Sequence, residues 1–340
     1  MNHAPKISIT VENVVAYLLE KRFLAREGAV EIAEVPGGVA STVIRIRTGE
    51  RDVILKQALY KLKVKADWTV PLWRSHVEQD CIEFFCSFLP EGTVPKVLFK
   101  DRENYLFIMT AAPADFELWK TQLLRGTVNQ TVAAKMGAIV AEIQNRTFDD
   151  DAVRARYDDN TIYTTGRIDP YYRVIQHVHP EVREAVDRLI ERTLATRRAL
   201  TTVDISPKNT LVKGDSIMLI DHEGAHFGDP SFDPAFLLNH LFLKSVRNSA
   251  LRSEYFQAAR NFWQAYLGAH HHVAGSEIEK DVVEHLGCLM LARVDGKSPA
   301  EYLREPEKAL LREISKEIIL GGCATLSGVE SVVDAKLGAV

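Results

Sequence analysis

In the stretch Thr202-Val203-Asp204-Ile205-Ser206-Pro207-Lys208-Asn209, an aspartate is followed five residues on by an asparagine, and a short predicted hairpin then runs to Ile220-Asp221. Phosphoryl transfer needs these parts in this order: a carboxylate beside the attacking hydroxyl, then hard oxygen ligands that hold magnesium against the phosphates. Asp204 suits the first role, Asn209 and Asp221 the second. A loop rich in Asp, Ser, Pro and Asn also makes an ordinary turn, so the weight of the reading comes from upstream. There Gly37-Gly38 precedes a strand and Lys56 closes an apolar one. That order bends backbone amides over phosphates and sets an ammonium against them.

A lysine set against phosphates takes an acidic partner, and the predicted helix from Arg74 to Phe88 offers Glu78, Asp80 and Glu83, which otherwise read as solvated surface charges. Glu78 lies three, four and seven residues before Cys81, Ile82 and Phe85, which puts it on the apolar face and makes it the expected partner of Lys56, with Asp80 second. Glu223, two residues past Asp221, points to the same side and suits either a second metal or neighbouring loop amides. Arg167, in Arg167-Ile168-Asp169-Pro170-Tyr171-Tyr172, reads as a plain loop or as one wall of a pocket for a polar hydroxylated ligand. Arg293 follows an apolar helix and is a second candidate substrate residue. Ser298-Pro299-Ala300-Glu301 reads as a capping box with proline at the first helical position. Lys244 and Arg247 would favour an anionic substrate if they approach the same place.

These residues need two kinds of scaffold. Val11–Phe23 has helical spacing, whereas Val30–Gln57 alternates and is punctuated by Gly37-Gly38 and Gly49-Glu50. Two further strands are predicted over Lys96–Phe99 and Tyr105–Met109, so residues 1–110 read as a small, mostly β, nucleotide-binding lobe of five strands. Beyond Pro113 the apolar spacing turns helical, and residues 111–340 read as a larger helical lobe carrying the catalytic loop and substrate site. The fold class is α+β, in two lobes. The small-residue ending after Ile319 reads as a loosely held terminal segment.

Composition sets the outer bounds. A chain of 340 residues with 46% hydrophobic and 26% charged residues is an ordinary globular one, and a formal charge of -4 gives no broad basic field for nucleic acid. No apolar run suggests a signal peptide or a membrane span, which implies a cytoplasmic protein. Cys81, Cys86, Cys288 and Cys323 lack metal-ligand spacing and read as reduced thiols, and His270-His271-His272 reads as a solvated loop. Oligomeric state stays open.

The chain resembles the aminoglycoside phosphotransferase and choline kinase family, which has a protein-kinase-like fold, and within it the methylthioribose kinase-like members. The stretches that carry the resemblance are Val94-Pro95-Lys96-Val97-Leu98, Leu106-Phe107-Ile108-Met109, Asp204 to Asn209, and Gly228-Asp229-Pro230-Ser231-Phe232-Asp233-Pro234. It implies a kinase that uses ATP and Mg2+ to phosphorylate a hydroxyl of a small molecule such as a sugar, polyol or amino alcohol. It also implies that adenine lies under the glycine turn against the backbone of Thr110–Ala112, and that Asp233 braces the catalytic loop. One departure stands out: the family's His-Gly before the catalytic aspartate is replaced here by Thr202-Val203, and a β-branched residue restricts the backbone. A nucleotide-binding pseudokinase with a regulatory or scaffolding role, and an aminoglycoside-resistance kinase, are the alternatives.

Overall fold

The computed structural model describes residues 4–25, 29–36, 38–63 and 68–338. The chain divides into a first unit, Met1–Phe116 with Ile220–Gly224, and a second, Glu117–Leu219 with Ala225–Val340.

The first unit is built on five antiparallel strands: β1 (Glu31–Glu34), β2 (Ser41–Arg47), β3 (Asp52–Ala58), β4 (Val97–Asp101) and β5 (Leu106–Thr110), in the order β1-β2-β3-β5-β4. The alternation of β3 explains both of its faces. Val53 and Leu55 join Ile44, Ile46, Leu106 and Ile108 in a core closed by Val14, Tyr17 and Leu18 of the helix Val14–Glu20. Ile54 turns the other way, to Phe107, Met109 and Ile82 of the helix Arg74–Cys86, and Lys56, two residues on, shares that side. The predicted lysine therefore emerges on the helix-covered face. The N-terminal helix is shorter than its sequence pattern, because residues 11–13 form a turn in which Asn13 Oδ1 accepts the Thr10 N–H.

The second unit is chiefly helical. Asn129 caps the helix Gln130–Asn145 by accepting the N–H groups of Thr131 and Val132. That helix packs along Arg252–Ala269, and a Cβ at Gly137 would run into the Phe262 carbonyl, so this approach requires glycine. The helix Phe232–Arg247 is buried from Phe232 through Val246 and forms the centre of the unit. Two small ladders position the loops: β6 (Glu117–Leu118), β8 (Thr210–Lys213) and β9 (Ser216–Leu219) form one, and β7 (Ala199–Thr201) with β10 (His226–Gly228) forms the other.

Four sequence expectations need correction. No helix begins at Pro299: Arg293 donates to both the carbonyl and the hydroxyl of Ser298, and the next helix, Glu305–Ile319, is closed at its start by Glu307, whose carboxylate accepts the Arg304 N–H at 2.8 Å and pairs with the Arg304 guanidinium. Residues Thr164–Tyr172 form a π-helix, not a plain loop, with Tyr171 and Tyr172 buried. The chain end folds as the helix Leu326–Gly338, which buries Val329 and Val333. His270 is buried against Tyr266 and Phe148, while His271 and His272 are exposed.

Candidate active site

In the first unit, Lys56 Nζ is the centre of an acidic group. It lies 2.8 Å from Glu78 Oε1 and 2.5 Å from Asp221 Oδ1, with Glu223 Oε2 at 3.9 Å. Of the three acids on the helix Arg74–Cys86, only Glu78 reaches the lysine. Asp80 pairs with Arg102 and Glu83 with Lys100. Burial works against the Lys56 ammonium, but the carboxylates of Asp221, Glu78 and Glu223 outweigh it and raise the lysine pKa. Burial also lifts Glu78, to about 7, helped by Asp221 and Glu223 and opposed by Lys56.

Arg74, fully buried, organises this group and carries no sequence motif. Its Nη1 donates to Pro71, and its Nη2 donates to the carbonyls of Ala40 at 2.5 Å and Leu59 at 2.8 Å. Its Nε stands 3.1 Å from Glu223 Oε2, at an angle that leaves both atoms without a hydrogen bond. One guanidinium thereby ties the segment after the glycine turn and the end of β3 to the acidic group. Among the described residues Glu223 is bound to no loop amide, and it stands near enough to the lysine to act on it. The one sequence signal for Arg74 is its place at the start of a helix whose inward face also carries Glu78, Cys81, Ile82 and Phe85.

The donor set suits a magnesium ion. Oxygens of Glu78, Asp221 and Glu223 all lie within 4.8 Å of one another, and Glu223 Oε2 is buried with no hydrogen-bond partner. Asn209, expected beside Asp221 as a ligand, is not in this group: it belongs to the second unit, where its Nδ2 donates to the Asp204 carbonyl at 3.2 Å.

The remaining nucleotide expectations fare unevenly. Gly37 lies outside the described residues. At Gly38 a Cβ would come within 3.2 Å of the Ser41 carbonyl and 3.3 Å of Val43, so the turn is tight enough to favour glycine. At Thr110–Ala112 the backbone is partly committed. The Thr110 N–H donates to Lys96, the Ala111 N–H to Asp52, and the Ala112 carbonyl accepts from Arg45. A purine ring placed there would therefore take neither of those two N–H groups.

In the second unit, Asp204 sits on a loop held at several points. Asp233, at the start of the helix Phe232–Arg247, accepts the N–H of Thr202 at 2.7 Å and that of Val203 at 2.9 Å. Val203 has φ +55, a left-handed conformation that β-branched residues rarely adopt. Burial raises the Asp233 carboxyl to about 6, opposed by those backbone donors. Asp204 Oδ2 lies 3.0 Å from Arg167 Nη2 and 2.9 Å from Lys208 Nζ. Arg167 also donates to the Val203 carbonyl at 2.9 Å and stacks over Tyr171 and Phe236. Arg293 Nη1 stands 3.4 Å from the Tyr171 hydroxyl, so the two candidate substrate residues reach one tyrosine from opposite directions in sequence.

Residues 31–271 match the phosphotransferase enzyme family, APH, and the chain belongs to that family. A methylthioribose kinase of Exiguobacterium sibiricum is 24% identical over 286 residues, covering 76% of this chain and 73% of that protein. Among solved structures, a spectinomycin phosphotransferase in complex with ADP and spectinomycin covers 97% of this chain and 99% of its own at a TM-score of 0.55 and 11% identity. An amicoumacin kinase in complex with AMP-PNP, Ca2+ and Ami covers 93% and 98% at a TM-score of 0.54 and 14% identity. The fold is thus the α+β, protein-kinase-like one of the phosphotransferases. Among the described residues no helix is long and apolar enough to cross a membrane.

Proposed function

We propose that this chain is an ATP-dependent kinase that transfers the γ-phosphoryl group to a hydroxyl of a small polar molecule. The observation that carries the reading is the buried Lys56 ammonium, fixed by Glu78 and by Asp221. A lysine so held presents a positive charge to phosphate oxygens without having to reorganise. In this reading residues 1–110 form the nucleotide-binding lobe, residues 111–340 the catalytic and substrate lobe, and Gly37 and Gly38 belong to the phosphate-covering turn. Asp221, with Glu223 beside it, would hold magnesium, and Asn209 would present a further hard oxygen. The bound ion would neutralise phosphate charge as it moves to the leaving group. Asp204 would accept the proton of the attacking hydroxyl, its carboxylate oriented by Arg167 and Lys208.

A second reading, a nucleotide-binding protein without transfer, rests on Val203, whose strained backbone directly precedes Asp204. Substitution separates the two. Asp204→Asn is expected to lower phosphate transfer at least ~100-fold while leaving the melting-temperature rise given by Mg-ATP unchanged. Asp221→Ala is expected to remove the magnesium dependence of that rise. Wild-type turnover in Asp221→Ala would sink the proposal, and a Mg-ATP shift with no transfer to any hydroxyl compound would favour the second reading.

A further inference from the structure

Around Tyr302 the second unit buries more cationic groups than carboxylates can answer. Lys244, only 1% exposed, lies on the helix Phe232–Arg247 and donates to the His240 carbonyl of its own helix at 3.1 Å. Among the described residues no carboxylate lies within ion-pair distance of it. Its ammonium stands 5.2 Å from the Tyr302 ring centre, and Lys120 faces the same ring at 5.9 Å while pairing with Glu301. Cation–π contact relieves only part of the cost of burying an unpaired ammonium.

Unfilled hydrogen-bonding groups occur at the same place. Among the described residues the Tyr302 hydroxyl, Arg293 Nε and His240 Nε2 are buried with no hydrogen-bond partner. Buried polar atoms are almost always paired, so three orphans beside an unanswered ammonium mark a place built for a ligand. Burial, with Lys120 and Arg293 nearby, pushes Lys244 down to about 7, and burial with Lys244, Arg293, Lys208 and Lys120 depresses His240. An arriving negative charge would answer these groups.

The cluster is continuous with Asp204. Phe236, His240 and Lys244 follow one another at four-residue spacing on one helix face, and Phe236 carries the Arg167 guanidinium that pairs with Asp204. About 12 Å of helix separates Phe236 from Lys244 at 1.5 Å per residue.

We infer that the acceptor of this kinase carries an anionic group, carboxylate or phosphate, several bonds from the hydroxyl that is phosphorylated, and that Lys244, Arg293 and Tyr302 hold that group. The inference rests on the kinase reading and narrows it. A cationic acceptor such as an aminoglycoside would meet repulsion here. Arg and Lys together suit a carboxylate or phosphate, Arg through its planar fork and Lys as a point charge.

The test uses the full chain saturated with Mg-AMP-PNP, whose own binding is measured first and stands or falls with the kinase reading. Calorimetric affinities are then compared across one carbon skeleton: glucose, glucosamine, gluconate and glucose 6-phosphate. Inorganic phosphate serves as a scaffold-free probe by thermal shift. Expected is at least tenfold tighter binding of gluconate or glucose 6-phosphate than of glucose, whichever of the two binds identifying carboxylate or phosphate. A phosphate-induced shift is also expected, and both effects should be lost in Lys244→Met and in Arg293→Gln. No preference for the anionic sugars, or tightest binding of glucosamine, overturns the inference, as does a phosphate shift equal in wild type and both variants. With Mg-AMP-PNP still bound, the kinase reading survives that result.

Discussion

Asp233 Oδ1 accepts the backbone N–H of Val203 at 2.9 Å, and Val203 holds φ at +55. The carboxylate takes the Thr202 N–H as well, so a single side chain fixes two successive peptides and keeps the residue before Asp204 in a conformation it would otherwise leave. Left-handed backbone costs a residue with a Cβ roughly 1–2 kcal/mol, and a β-branched one has the least freedom to adapt. The strain lies beside the proposed base, where it sets the direction in which Asp204 leaves the loop.

Glycine should therefore be better tolerated than alanine at position 203. In ordinary backbone, alanine is the more stable of the two by about 0.5–1 kcal/mol. Here Val203→Gly should exceed Val203→Ala by about 1 kcal/mol, because only glycine escapes the left-handed penalty. Denaturant unfolding of both variants measures this, and the usual order, alanine above glycine, would show that the loop can relax without Asp233.

Lys56→Met should separate fold from ligand binding. It leaves Glu78, Asp221 and Glu223 facing one another, with Glu78 buried and its answering charge gone. Breaking a buried pair costs about 3–5 kcal/mol, and the variant should also lose the Mg-ATP melting shift. Glu78→Gln removes one of the three acids that crowd the lysine and should cost less. A Lys56→Met protein as stable as wild type, with its Mg-ATP shift intact, would mean that the acidic group is solvated and plays no part in nucleotide binding.

A pH dependence follows from Lys244. Its folded pKa, about 7, is below the ordinary 10.5, so between those values the unfolded chain holds a proton that the folded chain has released. Stability then rises with pH over that window. The groups that face it are Lys120, Arg293, His240, Tyr302 and Glu301. Melting temperature should increase from pH 7 toward pH 9.5 in wild type relative to Lys244→Met, in which this contribution is absent. Parallel curves for the two proteins would place the Lys244 ammonium in water.

How much of this was legible depended on whether the chemistry is local in sequence. Asp204, Asn209 and Asp221 stand out by type and spacing, and Glu78 follows from helical periodicity because it shares a helix face with the buried Cys81, Ile82 and Phe85. Arg74 was not legible, since its carbonyl partners at Ala40 and Leu59 are 34 and 15 residues away and its acidic partner follows Asp221. Ser298 misled because its cap signature is sound by itself. Arg293, on the preceding helix, takes both of its oxygens, and the helix start moves to Glu305, where Glu307 accepts the Arg304 N–H. The segment at Arg167 misled in the other direction. Proline and paired tyrosines suggest a loop, yet the Pro170 carbonyl, freed in a π-helix, accepts the Lys297 N–H. Widened turns of this kind are frequent at functional sites.

Arg74 offers the sharpest test of what positions the first unit's acidic group. Lysine has the charge but one nitrogen, and cannot serve Pro71, Ala40, Leu59 and Glu223 together. Arg74→Lys should therefore behave as a loss of hydrogen bonds and not of charge. Expected is a fall in unfolding free energy of about 2–4 kcal/mol, from carbonyls left unsatisfied in a buried place. Nucleotide affinity should drop with it, because the segment after Gly38 loses its tie to β3. Arg74→Met, which also abandons Glu223, should be worse still. If Arg74→Lys matches wild type in both stability and Mg-ATP shift, the charge alone matters and the carbonyl fan is incidental. If stability falls but the shift is kept, Arg74 serves the fold and the glycine turn positions itself.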